Sequence, residues 1–248
     1  MSIKFKNLVT FGCSLTKDNY FDTWANYLSA ELSLPLLNKA ERGAGYDYIS
    51  DAIVQSVTTI DSPLCVIMWP TADRFDLWVN DAVPHLQDDI GYASWLDGDN
   101  PAFCTIDGTY NKTRGYCFNG AVPRGLKHLY YKYFYTQEFH INKAWKTIVL
   151  IQNYLKHNSI PYIMSNTYPL TSMIQYNYDS VMQSEQSFLD QIDTTYFVDD
   201  ALSGGFMEYC KKHEFDMFNL HHPKTEAHKV YTNAKIMVKF NDLYNRSR

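Results

Sequence analysis

The most constraining feature of this sequence is a segment at residues 64–69 that is apolar at every position and stops at Pro70. A strand with apolar side chains on both faces must be covered on both faces, which is typical of a parallel sheet between two layers of helices. Similar runs lie at 8–13 and 162–166, with helical patterns between them. Because parallel strands need crossover connections, the sequence predicts an α/β fold with a central, mostly parallel sheet.

Helices and one further strand are predicted from the spacing of apolar residues. Helices are expected at 22–33, 46–60, 125–157 with a break, 181–192, 206–212 and about 223–244, and a short strand at 36–38. Residues 71–124 show no regular period and carry many aromatic side chains, so we expect an irregular insertion after the third strand that acts as a lid or an inserted subdomain. The fold class is therefore a three-layer, flavodoxin-like α/β sandwich, and residues 1–248 are expected to form a single domain.

The composition argues against several classes of function. A formal net charge of −5 provides no basic surface to neutralise a phosphate backbone, so no nucleic-acid partner is expected. No run of 18 apolar residues occurs, so we expect no membrane contact and a cytoplasmic location, unless the chain is carried in a larger particle. The five cysteines show no Cys-x-x-Cys spacing, and we expect no metal and no cofactor. Aromatic residues make up 16% of the chain, which leaves a sugar-like ligand or a protein interface open.

Ser14 is the candidate nucleophile. It follows the first strand and lies near Gly12, which permits a tight turn at the carboxyl edge of the sheet. A turn-forming or helix-capping serine shows the same local pattern. Cys13 is a competing nucleophile, but its position continues the strand and favours burial. A nucleophile at this place needs a base from elsewhere in the chain.

The candidate base is His222, which precedes Pro223 and the last predicted helix. Histidine is the usual base for serine because its pKa lies near neutrality. Pro223 at the first helical position would fix the preceding turn and leave His222 on a defined loop. A metal site formed by His221, His222 and His228 is the alternative, but these residues lack an i, i+4 helical pair and an obvious carboxylate.

Considered together, the two ends of the chain resemble the SGNH (GDSL-like) hydrolase family. That family has an N-terminal Gly-Asp-Ser-Leu block, a glycine block after the second strand, a Gly-x-Asn-Asp block after the third and a C-terminal Asp-x-x-His-Pro block. The corresponding segments here are Gly12-Cys13-Ser14-Leu15, Asn38-Lys-Ala-Glu-Arg-Gly43-Ala-Gly45, Pro70-Thr71-Ala72-Asp73 and Asn219-Leu-His221-His222-Pro223. The sequences of these segments are most similar to those of short SGNH-like proteins of tailed bacteriophages, which implies a host-cytoplasmic or virion-associated location.

The resemblance implies a serine esterase or deacetylase that acts on a small-molecule ester or an O-acylated carbohydrate. Ser14 would attack the carbonyl, His222 would act as base, and the N–H groups of Ser14 and Gly43, with Gly45 as the alternative to Gly43, would hold the oxyanion. Asp73 and Arg74 are the candidate substrate-binding residues, since an arginine suits an anionic group. A structural salt bridge is the alternative role for Arg74.

Two departures from the family pattern favour a second hypothesis. Ala72 takes the place of the oxyanion-hole Asn, and losing such a donor costs roughly 10²–10³ in rate unless Thr71 or Arg74 supplies a substitute. Asn219 takes the place of the triad Asp, an exchange that lowers turnover roughly 10⁴-fold in serine proteases; Asp216 or a main-chain carbonyl would then have to orient the imidazole. The chain is thus either an esterase or an SGNH scaffold kept for binding or assembly, with a second copy or a virion component as its partner.

Overall fold

The computed structural model describes residues 4–17, 21–74, 76–79, 103–104, 110–111, 115–118, 124–170, 188–219 and 222–245. Its strands are β1 (Asn7–Phe11), β2 (Leu36–Asn38), β3 (Pro63–Trp69), β4 (Asp76–Val79), β5 (Phe103–Cys104), β6 (Tyr110–Asn111), β7 (Gly115–Phe118), β8 (Tyr162–Asn166), β9 (Met217–Asn219) and β10 (His222–Pro223). Its helices are α1 (Trp24–Leu32), α2 (Tyr46–Ser56), α3 (Arg124–Tyr133), α4 (Gln137–His157), α5 (Phe206–Lys212), α6 (Thr225–Tyr231) and α7 (Met237–Phe240). Short 3₁₀ turns lie at Val57–Thr59 and Thr194–Tyr196, and wider π-helical turns follow α6 and α7 at Thr232–Ile236 and Asn241–Asn245.

The central sheet has the strand order β2-β1-β3-β8, and all its neighbouring strands run parallel. β3 lies inside the sheet, and each of its seven residues is buried, as its continuous apolar sequence predicts. In a parallel sheet the carboxyl ends of the strands meet at one edge. The segments that follow β1, β2 and β3 are therefore brought together at that edge.

The two faces of the central sheet carry separate hydrophobic cores. Side chains such as Val9 and Ile67 point to a core closed by α2 and α4. Leu8 and Val66 point to the opposite core, which is closed by α1 and by the C-terminal helices α5, α6 and α7. Because strand side chains alternate between faces, β1, β3 and β8 each contribute to both cores. This arrangement confirms the predicted three-layer α/β sandwich.

After β3 the chain forms a second, antiparallel sheet of order β4-β7-β5-β6. β4 pairs with β7 over four residues, from Asp76 opposite Phe118 to Val79 opposite Gly115. These short strands lie in the segment for which the sequence predicts no regular structure. Alternation over two to four residues is too short to distinguish a strand from a loop. Whether the insertion is a lid, and whether residues 1–248 form one domain, stay predictions.

The predicted helices occur with some shifted ends. The helical stretch at 125–157 is broken as expected, between α3 and α4. The last helix begins at Thr225, because Pro223 belongs to β10 instead. Of the helix predicted at 181–192, residues 181–187 lie outside the described residues. Within the described ranges, no helix combines the length and the apolar character that crossing a membrane requires.

Candidate active site

Ser14 lies in the turn that follows β1. The amide N–H groups of Thr16 and Lys17 both donate to the carbonyl of Cys13, at 2.9 and 3.0 Å, and so close the turn around Ser14. The Cys13 side chain is buried in the core, whereas Ser14 is half-buried. The serine, and not the preceding cysteine, is therefore the side chain presented at the carboxyl edge of the central sheet.

His222 begins β10, and its ring faces Ser14. Nε2 of His222 lies 2.9 Å from Oγ of Ser14, although 208 positions separate the two residues in the sequence. β10 pairs antiparallel with β9, and the N–H of Lys224 donates to the carbonyl of Asp216 at 2.9 Å, so the backbone around His222 is fixed. An imidazole nitrogen at this distance is within reach of the hydroxyl proton. The structure thus brings together the two residues that the chain ends predict.

The residues expected to orient His222 differ in where they lie. Asn219 lies opposite His222 in the β9–β10 pair, but its side chain lies outside the described residues, so its orienting role stays a prediction. Asp216, the alternative orienting residue, points elsewhere. Its carboxylate is 80% exposed and pairs with Lys224 at 3.0 Å.

The alternative metal site depends on three histidines, which lie in different surroundings. His221 lies outside the described residues. Nδ1 of His228 accepts the N–H of Trp24 at 3.3 Å, and burial lowers the pKa of His228 to about 3. Among the described residues, no cluster of three or more His, Cys, Asp or Glu side chains is placed to bind a metal ion. His228 is therefore a neutral residue that supports the start of α1.

Gly43 belongs to the loop between β2 and α2, which lies over the end of β1. The N–H of Glu41 donates to the carbonyl of Gly12 at 3.2 Å, which holds this loop beside the nucleophile turn. Gly43 has φ 78°, a left-handed conformation that glycine adopts without strain. In the described part of the chain, no acceptor is found for the N–H of Ser14 or for that of Gly43. Neither N–H therefore has a competing acceptor among the described residues, and their role toward an oxyanion stays a prediction.

The segment after β3 lies beside the same loop. Nη1 of Arg74 is 3.4 Å from the carbonyl oxygen of Ala44, so the Arg74 side chain reaches the glycine block. Thr71 is half-exposed and lines a narrow cleft together with Tyr46. Oδ1 of Asp73 is buried, and no described residue donates a hydrogen bond to it. The structure brings these residues to the edge where Ser14 lies, and their roles toward a substrate stay predictions.

Two buried carboxylates beside the glycine block were missed by the sequence analysis. Glu41 is 1% exposed and pairs with Lys17 of the nucleophile turn at 2.7 Å, which joins the first and second blocks. Asp76, at the start of β4, is 8% exposed and accepts backbone hydrogen bonds at the start of α2. Burial raises the pKa of Asp76 to about 7, and the N–H groups of Tyr48 and Gly45 oppose this rise. Glu41 lies within the second block and Asp76 lies outside all four blocks, but neither is a residue that the family pattern assigns a role, so only the folded structure reveals their partners.

Solved structures share this fold, although the sequence matches no family model and no curated protein. An acetylxylan esterase from Geobacillus stearothermophilus aligns over 100% of both chains with 15% identity and a TM-score of 0.50. A member of the lipolytic protein G-D-S-L family from Veillonella parvula covers 97% of this chain and 99% of its own, with 11% identity and a TM-score of 0.46. A carbohydrate esterase family 2 enzyme from Corynascus thermopiles covers 98% of this chain and 68% of its own, with 11% identity and a TM-score of 0.46.

These comparisons concern the architecture. The chain has the α/β fold of the SGNH/GDSL type, with a parallel sheet flanked by helices, as in the acetylxylan esterase. At such low identity a shared fold does not by itself carry an activity. The resemblance to bacteriophage proteins stays a prediction.

Proposed function

We propose that this protein is a serine esterase in which Ser14 is the nucleophile and His222 the general base. The observation that carries the proposal is the 2.9 Å separation between Oγ of Ser14 and Nε2 of His222. Two further features support it: the N–H groups of Ser14 and Gly43 have no acceptor among the described residues, and the loop that carries Gly43 is bonded to the nucleophile turn. A nucleophile, a base and oxyanion donors at one edge are the parts that acyl transfer requires.

In the proposed reaction, Nε2 of His222 takes the hydroxyl proton while Oγ of Ser14 attacks the ester carbonyl. The negative charge that develops on the carbonyl oxygen is held by the N–H groups of Ser14 and Gly43. The imidazolium then gives its proton to the leaving alcohol, and an acyl ester remains on Ser14. A water molecule that loses its proton to the same imidazole attacks this ester, releases the carboxylic acid and restores the hydroxyl.

We extend the proposal to O-acylated carbohydrates as the substrate class. The structural relatives include an acetylxylan esterase and a carbohydrate esterase. The segment after β3 is rich in Tyr and Trp, whose rings suit a ligand surface that is partly apolar and partly polar, as a sugar ring is. We expect acetate release from acetylated xylo-oligosaccharides with a higher kcat/KM than for p-nitrophenyl acetate. A lower value would exclude the sugar preference but not the esterase.

The esterase proposal is tested by p-nitrophenyl acetate hydrolysis in matched variants. Ser14→Ala and His222→Ala should each lose at least roughly 10³-fold in kcat, because each removes one partner of the proton transfer. Ser203→Ala and His213→Ala change the same residue types at exposed positions on another part of the chain and should keep full activity. Equal rates in the wild type and in both active-site variants would refute the proposal.

A binding scaffold with the same fold is the second candidate function, and Ala72 is the observation that favours it. An alanine side chain donates no hydrogen bond, so the third block cannot supply the side-chain donor that the family pattern places there. A fluorophosphonate probe separates the two candidates. An esterase should be labelled at Ser14 in the wild type and not in His222→Ala, as peptide mass spectrometry would show. A scaffold would give no labelled Ser14 peptide in either protein.

A further inference from the structure

Asp76 lies at the first position of β4, yet its carboxylate bonds to the start of α2. Oδ1 and Oδ2 accept the N–H of Gly45 at 2.8 and 3.1 Å, and Oδ2 also accepts the N–H of Tyr48 at 2.9 Å. The side chain is 8% exposed. Asp76 thus connects the antiparallel sheet of the insertion to the glycine block, 31 positions away at Gly45.

This contact replaces the cap that α2 lacks locally. The first N–H groups of a helix have no partner within the helix, and a Ser, Thr, Asp or Asn at the N-cap usually satisfies them. The N-cap of α2 is Gly45, which has no side chain to do so. A Cβ built on Gly45 would lie 3.0 Å from both carboxylate oxygens of Asp76, which is tighter than an ordinary contact, so any larger residue would push the carboxylate away from the helix start. The carboxylate of Asp76 therefore caps α2 at Gly45, and the positive end of the helix dipole also stabilises its negative charge.

The arrangement fixes the segment that presents Gly43. At one end, Glu41 is bonded to the nucleophile turn through its backbone N–H and its ion pair with Lys17. At the other end, Gly45 is held by Asp76. Gly43 lies between these two anchors in its left-handed conformation. Both anchors therefore restrict how far the Gly43 backbone can move.

We propose that Asp76 is a positioning residue that links the inserted sheet to the active site. It holds the Gly43–Gly45 segment in place, so that the Gly43 N–H meets the oxyanion that forms when Ser14 attacks the ester. The inference rests on the proposed esterase function. It assigns a role to the insertion apart from contact with substrate. Movement of β4 would move the oxyanion donor through the Asp76 carboxylate.

The electrostatics are consistent with such a role. Burial raises the pKa of Asp76 to about 7, while the N–H groups of Tyr48 and Gly45 favour the anion. The charged groups that act on it are Asp47 of α2, which raises the pKa, and Lys143 of α4, which lowers it. Asp47 and Lys143 also form an ion pair with each other at 2.5 Å. The hydrogen bonds from the start of α2 are therefore strongest above neutral pH, where the carboxylate is charged.

The test compares Asp76→Asn with Asp47→Asn. Both replace a carboxylate by an amide near the start of α2, but Asp47 is 35% exposed and pairs with Lys143 instead of capping the helix. For p-nitrophenyl acetate, Asp76→Asn should lower kcat roughly 10- to 100-fold with KM within about twofold, because an oxyanion donor is displaced rather than a binding surface removed. Asp47→Asn should leave both parameters within about twofold. An unchanged kcat in Asp76→Asn would overturn the inference.

A second variant and a second measurement keep the test decisive. Gly45→Ala displaces the same carboxylate without changing any charge, and it should lower kcat in the same way. Amide hydrogen exchange of the peptide spanning residues 41–48 should be faster in Asp76→Asn than in Asp47→Asn. This readout does not need activity: an inactive wild type would refute the esterase proposal alone, whereas equal exchange in the two variants would refute the holding role of Asp76.

Discussion

Acidification is expected to destabilise the fold through His228, which is fully buried. The centroid of its ring lies 4.7 Å from that of the Phe206 ring, and its Nδ1 accepts a hydrogen bond from the N–H of Trp24. Burial lowers the pKa of His228 from 6.5 to about 3, the charge of His222 acts in the same direction, and the backbone of Pro223 opposes both. A positive charge on this ring would be surrounded by apolar side chains. The folded protein therefore excludes a proton that the unfolded chain accepts.

The sign and size of the effect follow from proton linkage. The unfolded chain binds the proton below about pH 6.5 and the folded protein only below about pH 3, so stability falls as the pH falls between these values. Each pH unit within this window costs about 1.4 kcal/mol. At about pH 4.5 the loss through His228 is therefore about 3 kcal/mol, a large part of the roughly 5–15 kcal/mol that stabilises a typical domain.

The assay is urea unfolding at about pH 7.5 and about pH 4.5. His228→Gln keeps an acceptor for the N–H of Trp24 but does not titrate, so its stability should fall about 3 kcal/mol less than that of the wild type between the two conditions. His213→Gln, at an exposed position, should behave as the wild type does. If the wild type and His228→Gln lost the same stability on acidification, the reasoning from burial would be refuted.

Three further predictions concern Asp76, Tyr231 and Gly43. Asp76 should affect the pH dependence of stability with the opposite sign, because burial raises its pKa from 3.8 to about 7 and its contribution to stability falls as the pH rises between these values. The unfolding temperature of Asp76→Asn should therefore rise relative to that of the wild type between about pH 5 and about pH 8. Tyr231→Phe removes a hydroxyl that joins Ser165 and Asp199 at 2.8 and 2.9 Å, and it should cost about 1–3 kcal/mol in urea unfolding, whereas no loss would contradict the network. Gly43→Ala should cost about 1–2 kcal/mol through its φ of 78° and also lower kcat, and full activity would argue against an oxyanion role for this loop.

The central sheet was predictable because its sequence signal is strong and local. Continuous apolar runs such as that of β3 mark strands covered on both faces, and the break between α3 and α4 lies within a stretch with clear helical spacing. The strands of the insertion were not predictable, since each has two to four residues and their pairing joins positions far apart. The 223–244 helix was placed too early because Pro223, a common first residue of helices, instead pairs in β10.

The site was predictable from topology only for residues that directly follow strands of the central sheet. Parallel strands bring the ends of β1 and β3 to one edge, so residues after each strand are expected to meet there. The approach of His222 to Ser14 was implied by the resemblance to the SGNH family and not by strand topology, because His222 follows no strand of the central sheet. Asp76 gave no such signal, because a glycine at the start of a helix does not reveal which distant carboxylate caps it. A helix that begins at Gly45 without a local capping side chain is the hint that a sequence analysis can use.

The choice between an esterase and an inert scaffold turns on what holds the Gly43 loop. Ala72 removes a side-chain donor, but the N–H groups of Ser14 and Gly43 are supplied by the main chain and do not depend on that residue. The loop is anchored by two buried carboxylates, Glu41 and Asp76, and taking such groups out of water opposes folding unless they are well paired. A surface used only for binding elsewhere has no need of such anchors beneath a loop that is bonded to the turn carrying Ser14. The anchoring of the loop therefore supports the proposed esterase over the scaffold, and the missing donor at Ala72 predicts a reduced rate.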